Sequence, residues 1–249
     1  MLLVGGWIVS TLGWPWFFVA AASLILLPVP LALVIREDQS NTRRRPFRWS
    51  AFRALGRRGV LLIVLLGVLY AFTLDGVLTF LSDHLRQAFQ VSVGQIGTLV
   101  ALSMVGRIAG AVSNTWITDR IGHRTSLFVA IVLATLACVG LAFEGTIGTV
   151  ALFGFLFGLA YGYYTAAYGA VAMDFSDPHI AASMFAIFMM FVNIGTAGGQ
   201  SLGGILTERL GFSGMVLVMG AINLLNIPIV LAAFRQQRRV QTDAGLAVQ

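Results

Sequence analysis

Seven stretches of this chain, at 15–35, 59–81, 95–117, 125–143, 148–172, 181–206 and 213–234, are apolar runs separated by polar breaks. Each holds close to the ~20 residues that ~30 Å of hydrocarbon requires. Inside a bilayer every backbone donor and acceptor must be satisfied within the protein, which leaves the helix as the structure for single runs of this length. The expected fold is an all-α polytopic membrane protein with about seven transmembrane helices. Composition agrees, since 58% of residues are apolar and only 10% charged, against about 25% charged in a soluble domain. Met1–Ser10 is apolar but too short to cross alone, and no basic residue precedes it, so a signal peptide is not expected. Pro28 and Pro30 fall near the end of the first span, where neighbouring helices can satisfy freed carbonyls.

The charges then set an orientation. All 16 basic residues are Arg, and eight of them lie in the polar linker 36–58. By the positive-inside rule this linker is cytoplasmic. Counting spans from it puts the Asp119–Arg124 turn, the Asp174–Ile180 turn and the tail 235–249 on the same side, leaving only Arg86 and Arg209 opposite. The net charge of +6 thus describes a multi-pass topology in a cell membrane, with the linker touching lipid headgroups, and not a nucleic-acid surface. The lone cysteine, Cys138, excludes an internal disulfide and leaves no zinc set.

Gly106 to Arg124 joins two spans through the turn Asp119-Arg120-Ile121-Gly122-His123-Arg124. So short a turn forces the two spans to be antiparallel neighbours. Gly122 can take a positive-φ conformation that reverses the chain, Asp119 can satisfy amides at a helix N-terminus, and Arg120 and Arg124 stay at the headgroups. This Asp-Arg-x-Gly-x-Arg pattern resembles the cytoplasmic loop signature of the major facilitator superfamily, with Thr115 where the family usually has Gly. The resemblance implies that Asp119, Arg120, Gly122 and Arg124 form a cytoplasmic gating motif that closes against the other half of the transporter.

An internal repeat bears on the architecture. An offset of 198 residues places Gly5-Gly6 on Gly203-Gly204, Leu12-Gly13 on Leu210-Gly211, Leu26-Leu27 on Leu224-Leu225 and Pro30 on Pro228. Two six-helix halves in parallel repeat is the facilitator plan. On that plan residues 1–35 are the end of the fifth and the whole sixth helix of an N-terminal half, 59–234 are a six-helix C-terminal half, and the missing N-terminal half is required for a complete transporter. A natural seven-span protein is the alternative.

Polar residues within spans are costly unless they face protein or water, so they are the candidates for function. Arg107 lies near the middle of the span 95–117, where substrate sites of such transporters lie. It reads either as a cationic anchor for an anionic or carboxylate substrate, a use the family makes of a midplane arginine in some anion and monocarboxylate members, or as a structural partner. Asp75 is the carboxylate well inside a span, nearer its outer end than Arg107 is to either of its own. Proton carrier, arginine partner and outer gate are its open readings. Asp83 and His84 are expected in a solvated outer loop.

The span 148–172 carries Gly154, Gly158 and Gly162, a face for close helix approach. Tyr161, Tyr164 and Tyr168 share one side of it and either line a substrate cavity or pack. Asn193 and Gln200 also share one face and resemble cavity or hinge residues of the family's penultimate helix, or else hydrogen-bond between helices.

No enzyme is expected: His84, His123 and His179 read as loop residues, and no paired acids or phosphate loop appear. No cofactor is implied, although an ion or proton gradient could drive the protein. The reading is secondary-active transport of a small-molecule solute by alternating access. The alternative is a transport-incompetent membrane binding or assembly protein derived from such a transporter.

Overall fold

The computed structural model describes Ile8 and residues 11–30, 56–143, 145–177 and 180–246, with the backbone alone for 237–246. The linker from 31 to 55, and His179, lie outside the described residues. Seven helices follow in order among those described: α1 Trp14–Leu26, α2 Arg58–Phe89, α3 Val93–Ile121, α4 His123–Ala142, α5 Ile147–Asp174, α6 Ala181–Asn223 and α7 Asn226–Leu246. The fold is thus all-helical, and the apolar runs do form long helices. Five segments are long and apolar enough to cross a membrane, the last being Ala181–Gln236. That last segment folds back on itself at Gly211, where φ is 72° and ψ 175°, a conformation essentially reserved for glycine, and so provides two spans.

Local chemistry fixes the helix ends. Ser92 caps α3 by accepting from the Gln95 amide while the Gln95 side chain accepts from the Ser92 amide, and Thr146 and Thr149 do the same for α5. Between α3 and α4 the single residue Gly122 makes the whole turn, at φ 79° and ψ 157°. Asp119, Arg120 and Ile121 are the last turn of α3, not loop. Among the described residues no side-chain hydrogen bond caps the N-terminus of α4.

Two parallel helix pairs dominate the packing, and both are held by glycine. Gly106 and Gly110 of α3 lie on the carbonyls of Phe155 and Leu159 in α5, while Gly158 and Gly162 of α5 lie on those of Ser103 and Arg107 in α3. Gly195 and Gly199 of α6 sit against Val68 and Phe72 of α2, and Gly76 against Gly199. Residue numbers rise together across both contacts, so each pair runs in the same direction. Backbone-to-backbone contact of this kind replaces the hydrophobic drive that lipid cannot supply. The expected glycine face of α5 needs one correction: a side chain at Gly154 would meet nothing within 4 Å, so Gly158 and Gly162 alone make the close approach.

Past Gly211 the chain returns along α2 and α4. Phe212 stacks on His84 with ring centroids 4.1 Å apart, Gly220 lies against Cys138, and Phe234 meets Phe175 near the start of α2. This corrects the expected solvated loop at Asp83 and His84. The polar residues after Leu81 extend α2 as helix to Phe89, and of the two His84 is packed while Asp83 is exposed. His123 likewise opens α4 as helix.

The aligned residues Gly13 and Gly211 share one backbone conformation, φ 87° and ψ 173° against φ 72° and ψ 175°. Each opens a helix that is interrupted by a turn, at Leu27 in one case and Leu224–Leu225 in the other, three or four residues before Pro30 and Pro228. α1 itself buries no residue.

Candidate functional site

α2 extends to Phe89, so Asp75 lies 17 residues from one end and 14 from the other, deeper than the apolar run alone suggests. Arg107 lies 14 residues from each end of α3. The two ionisable residues are therefore level, and no vertical offset of the helices is needed to bring them together.

They meet through one side chain. The Tyr161 hydroxyl of α5 donates a hydrogen bond to Asp75 Oδ1, and the Arg107 guanidinium lies over the face of the same ring, 3.7 Å from its centroid. Thr196 Oγ1 of α6 donates to Asp75 Oδ2 at 2.7 Å. Helices α5 and α6 thus meet at the carboxylate of α2, and α3 joins the cluster through the Tyr161 ring. Asp75 and Arg107 are half-buried, whereas Tyr161 is only 5% exposed. The glycine contacts explain why the ring reaches both partners: Gly162, next to Tyr161, rests on the backbone carbonyl of Arg107 itself.

The other candidates fall at graded distances. One turn beyond Asp75, Gln200 Nε2 donates to Thr79 Oγ1 at 3.1 Å, and Thr79 in turn donates to the Asp75 carbonyl at 2.8 Å. Asn193 and Gln200 are exposed on the same face of α6 as Thr196. Tyr164 and Tyr168 are wholly inside the helix packing, their rings tilted against Tyr70 with centroids 5.1 and 4.9 Å away. Their hydroxyls are buried without a hydrogen-bond partner. Tyr161 is therefore the member of that stripe that meets both charges.

A second polar group fills the half of the bundle nearer the Gly122 turn. Ser126 Oγ of α4 accepts from Asn114 Nδ2 at 2.9 Å and shares hydrogen bonds with Thr118 Oγ1 at 2.7 Å and the Tyr163 hydroxyl at 3.0 Å. Just beyond it, an open cleft of about 690 Å³ is lined by Thr118, Asp119, Gly122, His123, Arg124 and Asp174. His123 Nδ1 pairs with Asp174 Oδ2 across it, and the Arg124 guanidinium lies 5.8 Å from the Phe128 ring centroid. No group of three or more metal-ligating side chains occurs among the described residues.

Thr196 and Ser126 escape sequence reasoning because a hydroxyl in an apolar run is common and cheap. A signal for Thr196 was present: it lies three residues after Asn193 and four before Gln200, on the one face already singled out.

Comparison with known proteins follows the same outline. Residues 63–246 match the family model of the Major Facilitator Superfamily. The chain is 25% identical over 247 residues to Multidrug resistance protein MdtG of Escherichia fergusonii, an alignment covering 96% of this chain and 60% of that protein. It is 27% identical over 152 residues to the MdtG of Salmonella arizonae, covering 61% of this chain and 35% of that one. Among solved structures, a bacterial homolog of the human lysosomal transporter Spinster, inward-facing and unoccupied, superposes with a TM-score of 0.62 at 16% identity, covering 93% of this chain and 62% of the other. The chain thus spans about 60% of the length of the relatives it matches.

Proposed function

The chain belongs to the major facilitator superfamily, and we propose that it supplies the C-terminal half, with the end of the preceding half, of a secondary-active transporter of small solutes bearing an anionic or carboxylate group. The observation that carries this reading is the Arg107–Tyr161–Asp75–Thr196 cluster, four helices deep and level with the middle of the spans. A half-buried guanidinium held by an aromatic face, with no direct ion pair among the described residues, keeps its fork of donors for a carboxylate or similar anion. In this reading Tyr161, Asn193 and Gln200 shape the polar wall around Arg107, and buried Tyr164 and Tyr168 back it. Asp75 is the proton-coupling group.

The architecture supports a role within a larger bundle. The shared conformation of Gly13 and Gly211 agrees with two halves in parallel repeat, and alternating access then rocks this half against its counterpart around the midplane site. With the arginine-rich linker inside, the Gly122 turn and the tail face the cytoplasm, and Asp119, Arg120 and Arg124 close that side. The MdtG proteins carry multidrug resistance in their names, so export of a solute belongs within this reading.

The test is uptake or efflux in proteoliposomes of the full-length protein, across a panel of small carboxylates, other anions and cationic dyes. Arg107→Ala should lower transport of anionic members by about 10- to 100-fold, the worth of a charge-assisted hydrogen bond. Arg107→Lys should recover only part of it, because the planar fork is lost. Unchanged transport of every member by Arg107→Ala would refute the anchor.

A further inference from the structure

Tyr161 has two neighbours of opposite charge and gives each a different part of itself. Its ring face receives Arg107, and its hydroxyl goes to Asp75. We propose that Tyr161 is the positioning residue that couples anion binding at Arg107 to proton binding at Asp75, so that an anion and a proton are taken up together. The inference rests on the reading of Arg107 as the anion anchor and adds how that site communicates.

The physical chain is short. A cation over the ring draws electron density from the phenol and strengthens it as a donor, and that donor supports the ionised carboxylate. An anion arriving at Arg107 takes the guanidinium's donors and lifts it off the ring. The phenol then donates more weakly, and the new negative charge lies beside the carboxylate. Both changes favour a proton moving from water onto Asp75. By linkage the relation runs both ways: a proton on Asp75 weakens the phenol's bond, leaves the ring a poorer partner for Arg107, and frees the guanidinium for an anion.

Thr196 supplies the contrast. It also donates to Asp75, at 2.7 Å, but approaches from α6. Tyr161 touches both charges, with its ring on Arg107 and its hydroxyl on Asp75. Among the described residues the charged and titratable side chains around Asp75 are Arg107 from α3, Tyr161 from α5 and Tyr70 from α2 itself, while α6 brings the neutral Thr196. Tyr70 packs its ring against Tyr164 and Tyr168 and lies within the field of both Asp75 and Arg107, without the hydrogen bond to the carboxylate that Tyr161 makes.

Benzenesulfonate is a suitable probe, because it stays anionic at any working pH and carries no titrating proton of its own. Isothermal titration of the full-length protein with this probe, in buffers of different ionisation enthalpy, gives both the affinity and the protons taken up per anion bound. The wild type should take up a measurable fraction of a proton. Tyr161→Phe keeps the ring for Arg107, so its affinity should change only a few-fold while proton uptake falls to the smaller share that the anion's charge alone induces. Thr196→Val should retain uptake, and Asp75→Asn should bind with none. Uptake in Tyr161→Phe equal to wild type, or persisting in Asp75→Asn, overturns the inference and leaves the anchor standing. Failure of the wild type to bind benzenesulfonate refutes the anchor for this anion class, and the coupling with it.

Discussion

Gly162→Ala is the substitution whose effect can be worked most directly from the packing. A Cβ at Gly162 would lie 1.8 Å from the Arg107 carbonyl oxygen, and real Cβ contacts essentially never fall under 3.0 Å, so α3 and α5 must part by 1.2 Å. Backbone cannot rotate away as a side chain can. Overpacking of this kind costs about 1–3 kcal/mol, which corresponds to a loss of about 2–12 °C in melting temperature for a domain of this size. The same movement displaces Arg107 relative to Tyr161, so anion binding should suffer beyond the stability loss. Gly154→Ala is the internal control, four and eight residues earlier than the packed glycines, with nothing within 4 Å of the added atom. It should be neutral or gain up to about 1 kcal/mol from helix propensity. Thermal unfolding of the purified full-length protein, followed by size-exclusion fluorescence, reads both. Equal melting temperatures for the two variants would refute the claim that the α3–α5 seam is set by backbone contact.

Ser126→Ala removes the hub that Asn114, Thr118 and Tyr163 share, leaving buried polar groups unsatisfied at a cost of about 1–3 kcal/mol; the same unfolding assay checks it, and an unchanged melting temperature would mean the network is idle. For the orientation, Ser40→Cys should be protected from a membrane-impermeant reagent in intact cells while Asp83→Cys, exposed at the far end of α2, should react; the reverse pattern would invert the topology.

The parts of the fold that could be read from sequence were those written in long-range composition. Apolar runs located the spans because a bilayer tolerates little else, and Gly122 announced its turn because few other residues accept its backbone angles. The end of α2 was hidden by Ser82, Asp83 and Arg86, which look like loop residues and are simply helix beyond the apolar stretch. That error placed Asp75 too shallow and made its approach to Arg107 look awkward. Spacing also could not rank chemically equal residues. Gly154 repeats Gly158 in period but not in neighbours, and the split between Tyr161 and the enclosed Tyr164 and Tyr168 depends on α2 and α6, distant in sequence.

The pairing of non-consecutive helices has a consequence for biogenesis. Asp75 finds its partners 86 and 121 residues later in the chain, at Tyr161 and Thr196. At ribosomal rates of about 5–20 residues per second, those intervals are roughly 4–17 s and 6–24 s. Through the first of these intervals α2 lies in or beside the translocon with neither of these partners made, at a cost of about 2.5–3.5 kcal/mol in hydrocarbon. The long apolar run on either side of Asp75 holds the helix in place against that cost. Until α6 emerges to complete the cluster, the nascent chain is exposed to pairing with the wrong helix.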